Sequence, residues 1–201
     1  MGLLKLKDVF NYPNGSAFPS WGVHNNSDCC TWKNVICDNN TTKPVIGLDL
    51  SFTRDSGMCF EDPDTPDWSL NASYFLPFQE LQSLNLSGNC LTGVVGEIRL
   101  NKLRLISLRQ NRLKETPNFE RSILSKLEKL NLGFNRLTGG LPEYIGTSYF
   151  SQILVFLCQQ FVWLISNRRR FMSADKSSKI GSQLQQVFRT CSFLPQQSDF
   201  S

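Results

Sequence analysis

The amino-acid sequence predicts an α/β solenoid with a short parallel sheet on its concave face, a helical amino-terminal cap and an irregular convex side. Three observations lead to this prediction: a pattern of leucines that recurs along the middle of the chain, an apolar stripe at helical spacing before it, and a group of cysteines between the two. With 201 residues, of which 40% are apolar, the chain is long enough to bury a real core.

The recurring pattern is Leu-x-x-Leu-x-Leu-x-x-Asn-x-Leu. It occupies residues 81–91, 103–113 and 127–137, and a weaker copy begins at residue 45. The central residues Leu84, Ile106 and Leu130 are 22 and then 24 residues apart, which is inside the range of leucine-rich repeats. Alternating leucines fall on one face of a short strand, so each coil has to bury them against its neighbours. The predicted fold class is therefore an α/β leucine-rich-repeat solenoid.

Each of the three strong copies carries an asparagine at its ninth position. These residues are Asn89, Asn111 and Asn135. An asparagine amide can bond the backbone of the bend that follows a strand, which would build a ladder of satisfied polar groups inside the solenoid. We therefore expect these asparagines to belong to the scaffold and not to a binding site.

This organisation divides the chain into three segments. They are a cap over residues 1–44, about four repeat coils over residues 45–146 with an insertion near 54–80, and a non-repeat tail over residues 147–201. Prolines and acids from Asp62 to Asp67 mark the insertion as a surface loop.

The tail leaves three interpretations open. Residues 149–166 carry no charge and precede Arg168, Arg169 and Arg170, which is the pattern of a marginal membrane helix with a basic cytoplasmic end. The glutamines in that stretch are costly in hydrocarbon. The alternatives are a poorly folded or disordered tail, and an apolar segment packed on the open last coil.

The cap begins with apolar residues at helical spacing, which predict a short amphipathic helix. These residues are Leu3, Leu4, Leu6, Val9 and Phe10. Pro13-Asn14-Gly15 ends the helix. Trp21 and Trp32 follow, and we expect them to pack inside the cap, because the first coil of a solenoid needs a cover over its leucines.

The chain has seven cysteines, and Cys29, Cys30 and Cys37 lie within nine residues. Such crowding indicates a disulfide or a metal site. Zinc sites usually pair cysteines, or combine them with histidines, at set spacings, and the only histidine, His24, is not placed in this way. No metal site is therefore expected, and a disulfide implies an oxidising compartment.

Asn-x-Ser/Thr sequons support a secreted context. Their asparagines are Asn14, Asn25, Asn39, Asn40, Asn71 and Asn85. The first residues, Met1 to Asp8, contain no apolar core of the kind that a signal peptide needs. An extracellular or plasma-membrane location is thus expected if a signal peptide is restored to the chain.

The residue order in the cap resembles a known family. Leu3-Leu4-x-x-Lys7, then Trp21, then Asp28-Cys29-Cys30-x-Trp32-x-x-Val35-x-Cys37 is similar to the amino-terminal cap of plant leucine-rich-repeat receptor-like proteins, receptor kinases and polygalacturonase inhibitors. The resemblance implies a disulfide between Cys30 and Cys37. It also implies a partner for Cys29 upstream of the helix, which this chain lacks, so we expect a truncated chain. The pairing of Cys59 and Cys90 stays open.

Two further stretches carry the resemblance to about residue 147. Residues 137–146 resemble the consensus of plant-specific repeats. Residues 68–81 resemble a first-repeat insertion of receptor-like proteins, which favours that group over the inhibitors.

No enzyme is predicted from the motifs of the chain. The sequence contains no Gly-x-Gly-x-x-Gly loop, no phosphate-binding Gly-Lys-Ser/Thr, no His-Glu-x-x-His and no Gly-x-Ser-x-Gly. Neither catalytic residues nor cofactors are therefore expected. A net charge of +4 with dispersed lysines and arginines gives no broad basic surface for nucleic acid.

The sequence predicts recognition by the concave face, which solenoids use for binding. The side chains that alternate with the strand leucines would line it. They are Asp49, Ser51, Asn85, Ser87, Ser107, Arg109, Asn131 and Phe134. Arg109 and Phe134 form the preferred pair, since arginine and aromatic residues dominate the hot spots of interfaces.

We expect a peptide, glycan or protein ligand, and signalling through partners such as a co-receptor kinase, in defence or development. Residues 149–166 would provide a membrane association. Two alternatives remain: a secreted inhibitor of a microbial wall-degrading enzyme, similar to the polygalacturonase inhibitors, and a truncated gene product without independent function. A complete set of repeats with a closing cap would favour the inhibitor, and a long ectodomain with a clear membrane helix would favour the receptor.

Overall fold

The computed structural model describes residues 2–11, 15–23, 28–54, 67–124, 126–138 and 154–156, the last three by their backbone alone. The described helices are α1 (Gly2–Asn11) and α2 (Arg121–Leu124), and 3₁₀ turns span Cys29–Thr31 and Ala72–Phe75. The described strands are β1 (Val35–Cys37), β2 (Val45–Asp49), β3 (Ser69–Asn71), β4 (Ser83–Asn85), β5 (Gly93–Val95), β6 (Glu97–Ile98), β7 (Leu105–Ser107), β8 (Asn118–Phe119), β9 (Lys129–Asn131) and β10 (Leu154–Phe156).

Six strands form the main sheet, in the order β1-β2-β4-β7-β9-β10. β1 runs antiparallel to β2, and the other neighbouring strands are parallel. The register places Leu48, Leu84, Ile106 and Leu130 side by side, as the spacing of the copies predicts. Each of these four side chains is at most 2% exposed, so this row faces the core. The solenoid fold predicted from the leucine-rich repeats is confirmed.

The asparagine ladder is also confirmed. The Asn111 carboxamide oxygen accepts from the backbone N–H groups of Asn89 and Leu91, each at 3.0 Å, and its Nδ2 donates to the carbonyls of Leu86 and Leu108, at 3.0 and 2.9 Å. Asn89 and Asn135 make equivalent bonds one coil earlier and one coil later. Because each amide joins two neighbouring coils, the ladder fixes the spacing of the repeats.

Two short parallel pairs lie outside the main sheet, β3 with β5 and β6 with β8. They bury Leu70, Ile98 and Phe119, each at most 2% exposed. The sequence analysis had not predicted these pairs. Ser69–Asn71 falls inside the predicted insertion near 54–80, so this end of the insertion is part of a coil, whereas Asp62 to Pro66 lie outside the described residues.

The cap is built on α1, which buries Leu3, Leu6 and Phe10 as the helical spacing predicts. Leu4, which the sequence analysis counted with them, is 42% exposed instead. Trp21 is fully buried and stacks between the rings of Phe18 and Trp32, with centroid distances of 4.1 and 5.7 Å. Its indole N–H donates to the Lys33 carbonyl at 2.9 Å, so both tryptophans serve packing.

The tail is described only at Leu154–Phe156, which lies inside the stretch where a membrane helix was one interpretation. The backbone there is extended, and it pairs in parallel with β9, with Val155 opposite Leu130. Among the residues that the structure describes, no helix is long and apolar enough to cross a membrane. The predicted boundary at residue 147 falls outside this part of the chain.

Candidate functional site

The main sheet has one face on the core and one face toward solvent. We call the solvent side the open face and define it by three rows of residues that alternate with the buried leucines. Row 1 is Gly47, Ser83, Leu105 and Lys129; row 2 is Asp49, Asn85, Ser107 and Asn131; row 3 is Ser51, Ser87, Arg109 and Gly133. Strand register aligns the members of rows 1 and 2 across β2, β4, β7 and β9.

Row 2 contains four of the predicted ligand contacts, and the structure brings them together in one line. Several of their oxygen atoms are already used, however. The Asp49 carboxylate accepts from the Ser51 N–H and hydroxyl at 3.0 and 2.6 Å, and the Asn85 oxygen accepts from the same two groups of Ser87 at 3.1 and 2.7 Å. These bonds close the turns that follow the strands.

The donors of row 2 remain available. The Asn131 oxygen accepts from the Gly133 N–H at 3.1 Å, whereas the amide nitrogens of Asn85 and Asn131 make no hydrogen bond within the described part of the chain. Ser87, also expected on this surface, is only 7% exposed, because its hydroxyl lies between Asn85 and the Ser107 hydroxyl, 2.8 Å away. Row 2 can therefore offer amide donors to a ligand.

Arg109 and Phe134, the preferred pair of the sequence analysis, are in contact. The guanidinium carbon lies 4.5 Å from the centre of the Phe134 ring, which is a cation–π geometry. Arg109 is exposed, and no acidic group pairs with it among the residues that the structure describes. The ring holds the arginine in place while its N–H groups stay free for an anion.

Phe134 belongs to a further line of residues, at the eighth position of each copy, just before the ladder asparagine or, in the weaker copy, before Thr53. Phe52, Gly88, Gln110 and Phe134 occupy it with φ angles of 51°, 66°, 57° and 56°. Only glycine adopts this left-handed conformation without cost, and a bulky residue there is strained. Phe52 covers Gly88 with its ring and is 63% exposed. Two aromatic side chains are thus presented at positions that favour glycine.

Row 1 was missed by the sequence analysis. Three of its members, Gly47, Ser83 and Leu105, line a depression of about 210 Å³ on the open face. The depression is lined by Ile36, Ile46, Gly47, Gln82, Ser83, Arg104, Leu105 and Glu128. Ile36 and Leu105 are 60% and 40% exposed and form apolar walls on either side of the small residues Gly47 and Ser83. The period-two alternation, applied two residues earlier in each copy, would have found this row.

The cysteine cluster lies in the cap. Cys30 and Cys37 form the disulfide that the resemblance implied, and Cys90 is also disulfide-bonded. Cys29 is a thiol whose sulfur lies within 4.8 Å of the other two. A metal could bind these three only after the disulfide is reduced, because a disulfide sulfur has no thiolate to offer.

Asp28 precedes the cluster and anchors its 3₁₀ turn. Its carboxylate accepts from the Cys30 N–H at 3.0 Å and pairs with the Lys43 ammonium at 3.4 Å. The hydrogen bond from Cys30, and then Lys43, lower the pKa of Asp28 below its usual value of 3.8.

The sequons fall into two groups by position. Asn39, Asn40 and Asn71 are exposed and lie off the open face, whereas Asn85 is half-buried within row 2. Asn14 and Asn25, together with His24, lie outside the described residues. A glycan on Asn85 would cover the middle of the open face, so glycosylation and ligand binding there compete for the same side chain.

Two families match the chain. The "Leucine rich repeat N-terminal domain" matches residues 2–38, which contain α1 and the cysteine cluster. The "Leucine Rich Repeat" matches residues 80–98 and 126–148, the first and third strong copies of the pattern.

Relatives are plant receptor-like proteins. Receptor-like protein 9b of Arabidopsis thaliana is 37% identical over 150 residues, and Receptor-like protein 9a of the same plant is 34% identical over 148 residues; each match covers 70% of this chain and 14% of the relative. Cuscuta receptor 1 of Solanum lycopersicum is 34% identical over 161 residues, which covers 75% of this chain and 14% of the relative. The chain therefore spans a small part of the length of these relatives. On its cap, its repeats and these matches, it belongs to the plant leucine-rich-repeat receptor-like proteins.

Proposed function

We propose that this chain is a recognition module of a plant receptor-like protein, and that the open face, which would be the concave face of the solenoid, binds a peptide, glycan or protein ligand. The observation that carries the proposal is Arg109, an exposed cation stacked on Phe134 with no acidic partner in the described part of the chain. Arginines and aromatic residues held in place before binding are typical hot spots.

The proposal places the repeats outside the cell. A disulfide between Cys30 and Cys37 suits an oxidising compartment, and exposed sequons at Asn39, Asn40 and Asn71 suit the secretory lumen. Signalling, in this proposal, passes through a partner such as a co-receptor kinase.

A glycosidase assay tests whether these sequons are glycosylated in the secretory lumen. The full chain, expressed in plant cells behind a secretion signal, should migrate faster after glycosidase treatment, and Asn71→Gln should remove part of that change. A chain that shows no change in mobility would contradict glycosylation at these sequons.

The binding test compares two exposed arginines. Arg109→Glu reverses the charge on the open face, whereas Arg121→Glu reverses an exposed charge on α2, away from that face. The full chain is offered to displayed random peptides, to wall oligosaccharides and to secreted proteins of stated identity. We expect that at least one class of probe binds Arg109→Glu at least about tenfold more weakly than it binds the unchanged protein, and that it binds Arg121→Glu equally well. Equal binding by both variants would refute the proposed surface.

A further inference from the structure

The open face has an apolar end. Ile36, from β1, and Leu105, from β7, are large apolar side chains that remain 60% and 40% exposed. They face each other across Gly47 and Ser83, whose small size leaves the depression between them. Covering exposed aliphatic groups releases their water, so this end favours an apolar side chain of a ligand.

The open face also has a cationic end. Arg109 follows Leu105 by four residues on the same side of the chain, because side chains alternate with a period of two. Four residues of extended chain span about 13 Å. The Arg109 guanidinium is held on the Phe134 ring at 4.5 Å and presents its N–H fork to solvent, which is the geometry that a carboxylate accepts.

Amide donors lie between the two ends. The Asn85 and Asn131 amide nitrogens flank Ser107 in row 2, and neither donates a hydrogen bond within the described residues. Carbonyl groups of an extended peptide are suitable acceptors for such donors.

We infer that the open face recognises an extended peptide at two points. An aliphatic side chain of the peptide lies in the depression between Ile36 and Leu105, and a carboxylate four residues further along the peptide binds Arg109. This inference rests on the proposed function and names its ligand class. Side chains at positions i and i+4 of an extended peptide lie on the same side, so both reach the sheet together. The asparagines of row 2 bond the peptide backbone between them.

A peptide fits these features better than an acidic oligosaccharide. Sugar rings stack on flat aromatic side chains, and none of the described aromatic residues lines the depression, where Ile36, Ile46 and Leu105 supply apolar surface beside Gln82 and the ion pair of Arg104 with Glu128. The two aromatic rings presented beside the open face, Phe134 and Phe52, each have one face covered, by Arg109 and by Gly88.

The test is a selection with a displayed library of random heptapeptides. The full chain is produced in an oxidising bacterial periplasm, where the Cys30–Cys37 disulfide can form and no N-glycan is attached to Asn85. We expect the selected peptides to carry Leu, Ile or Val four residues from Asp or Glu, more often than at spacings of two, three or five.

A charge swap sharpens the test. With Arg109→Glu, selection should enrich Lys or Arg in place of the acidic residue, while the aliphatic preference is kept. With Leu105→Ser, the aliphatic preference should fall, and peptides selected on the wild-type protein should bind this variant at least about tenfold more weakly. Arg121→Glu is the matched control and should reproduce the wild-type selection. Circular dichroism confirms that each variant is folded.

The outcomes separate the two proposals. Peptides that depend on Arg109 and Leu105 but show no fixed spacing would overturn the two-point inference and leave the open face as the binding surface. Peptides whose binding responds to neither substitution, or a selection that yields no binding peptide, would overturn both proposals for peptide ligands. Binding of oligosaccharide alone, lost in Arg109→Glu, would overturn the inference and keep the proposed function.

Discussion

At the scale of single residues, the hydrogen bonds of the ladder asparagines are the most important for stability. Asn111 is completely buried and makes four bonds of 3.0 Å or less to the backbone of two coils. An Asn111→Ala change would leave those backbone groups unpaired inside the protein, so we expect it to lower the free energy of unfolding by about 3 kcal/mol or more. Chemical denaturation measures the loss.

Asn131→Ala is the control for this prediction, because Asn131 occupies the open face and only its bond to the Gly133 N–H is lost. That change should cost about 1 kcal/mol. Equal losses for the two substitutions would show that the ladder does not hold the coils together.

Asp28 makes the stability of the cap depend on pH. Its folded pKa is lowered, by the Cys30 N–H first and Lys43 second, so the folded protein holds the proton less tightly than the unfolded chain. The stabilisation is present above the unfolded value of 3.8 and is lost as pH falls through the lower folded pKa. In Asp28→Asn, this part of the acid dependence should disappear from unfolding curves recorded between neutral pH and acid. An unchanged acid dependence would contradict this role.

At the scale of elements, the bends that follow the strands hold their backbone in a strained left-handed conformation. Gly88→Ala would place a Cβ 2.3 Å from the Phe52 ring at a φ of +66°. We expect a loss of stability of about 1–3 kcal/mol, together with displacement of Phe52. Gly96→Ala is the comparison, because φ there is +84° but the nearest atom would be 3.9 Å away. If thermal unfolding ranks Gly96→Ala as the more damaging change, contact with Phe52 is not the cause.

The repeats, their register and the ladder could be predicted, because each depends on a local pattern that recurs at fixed spacing. The side pairs β3–β5 and β6–β8 could not, since their two or three residues make no alternation that stands out from the sequence. The sequence placed Arg109 and Phe134 on one surface but did not predict that the two side chains touch. Their stacking depends on the left-handed bend at Phe134, a position where the sequence alone would favour glycine.

The depression between Ile36 and Leu105 could not be predicted from the repeat pattern either. It exists because β1 adds to the sheet antiparallel to β2 and brings Ile36 over Gly47, where an added Cβ would lie 3.1 Å from the Ile36 side chain. A contact between the cap and a repeat is not part of any one repeat, so the repeat pattern did not reveal it.

At the scale of the whole molecule, stability is distributed over a core that runs through consecutive coils. Leu108 and Leu130 are both completely buried in this core. Truncation of either to alanine should cost roughly 2–5 kcal/mol by forming a cavity, and each should reduce the unfolding midpoint of the chain. Leu105→Ala, on the open face, is the control and should change the midpoint little. A Leu130→Ala protein of unaltered stability would place that residue outside the core.

The central claim is that the open face is the recognition surface, and two introduced glycans test it most directly. In chain carrying Asn85→Gln and secreted from plant cells, which is the reference for binding, Gly133→Ser creates a sequon at Asn131 on the open face, and Glu120→Asn creates one with Ser122 beside α2. With glycan attachment established by mass spectrometry, binding of a peptide selected on the unmodified chain should be abolished by the first and retained by the second. Loss of binding by the second glycan alone, or by neither, would contradict the account.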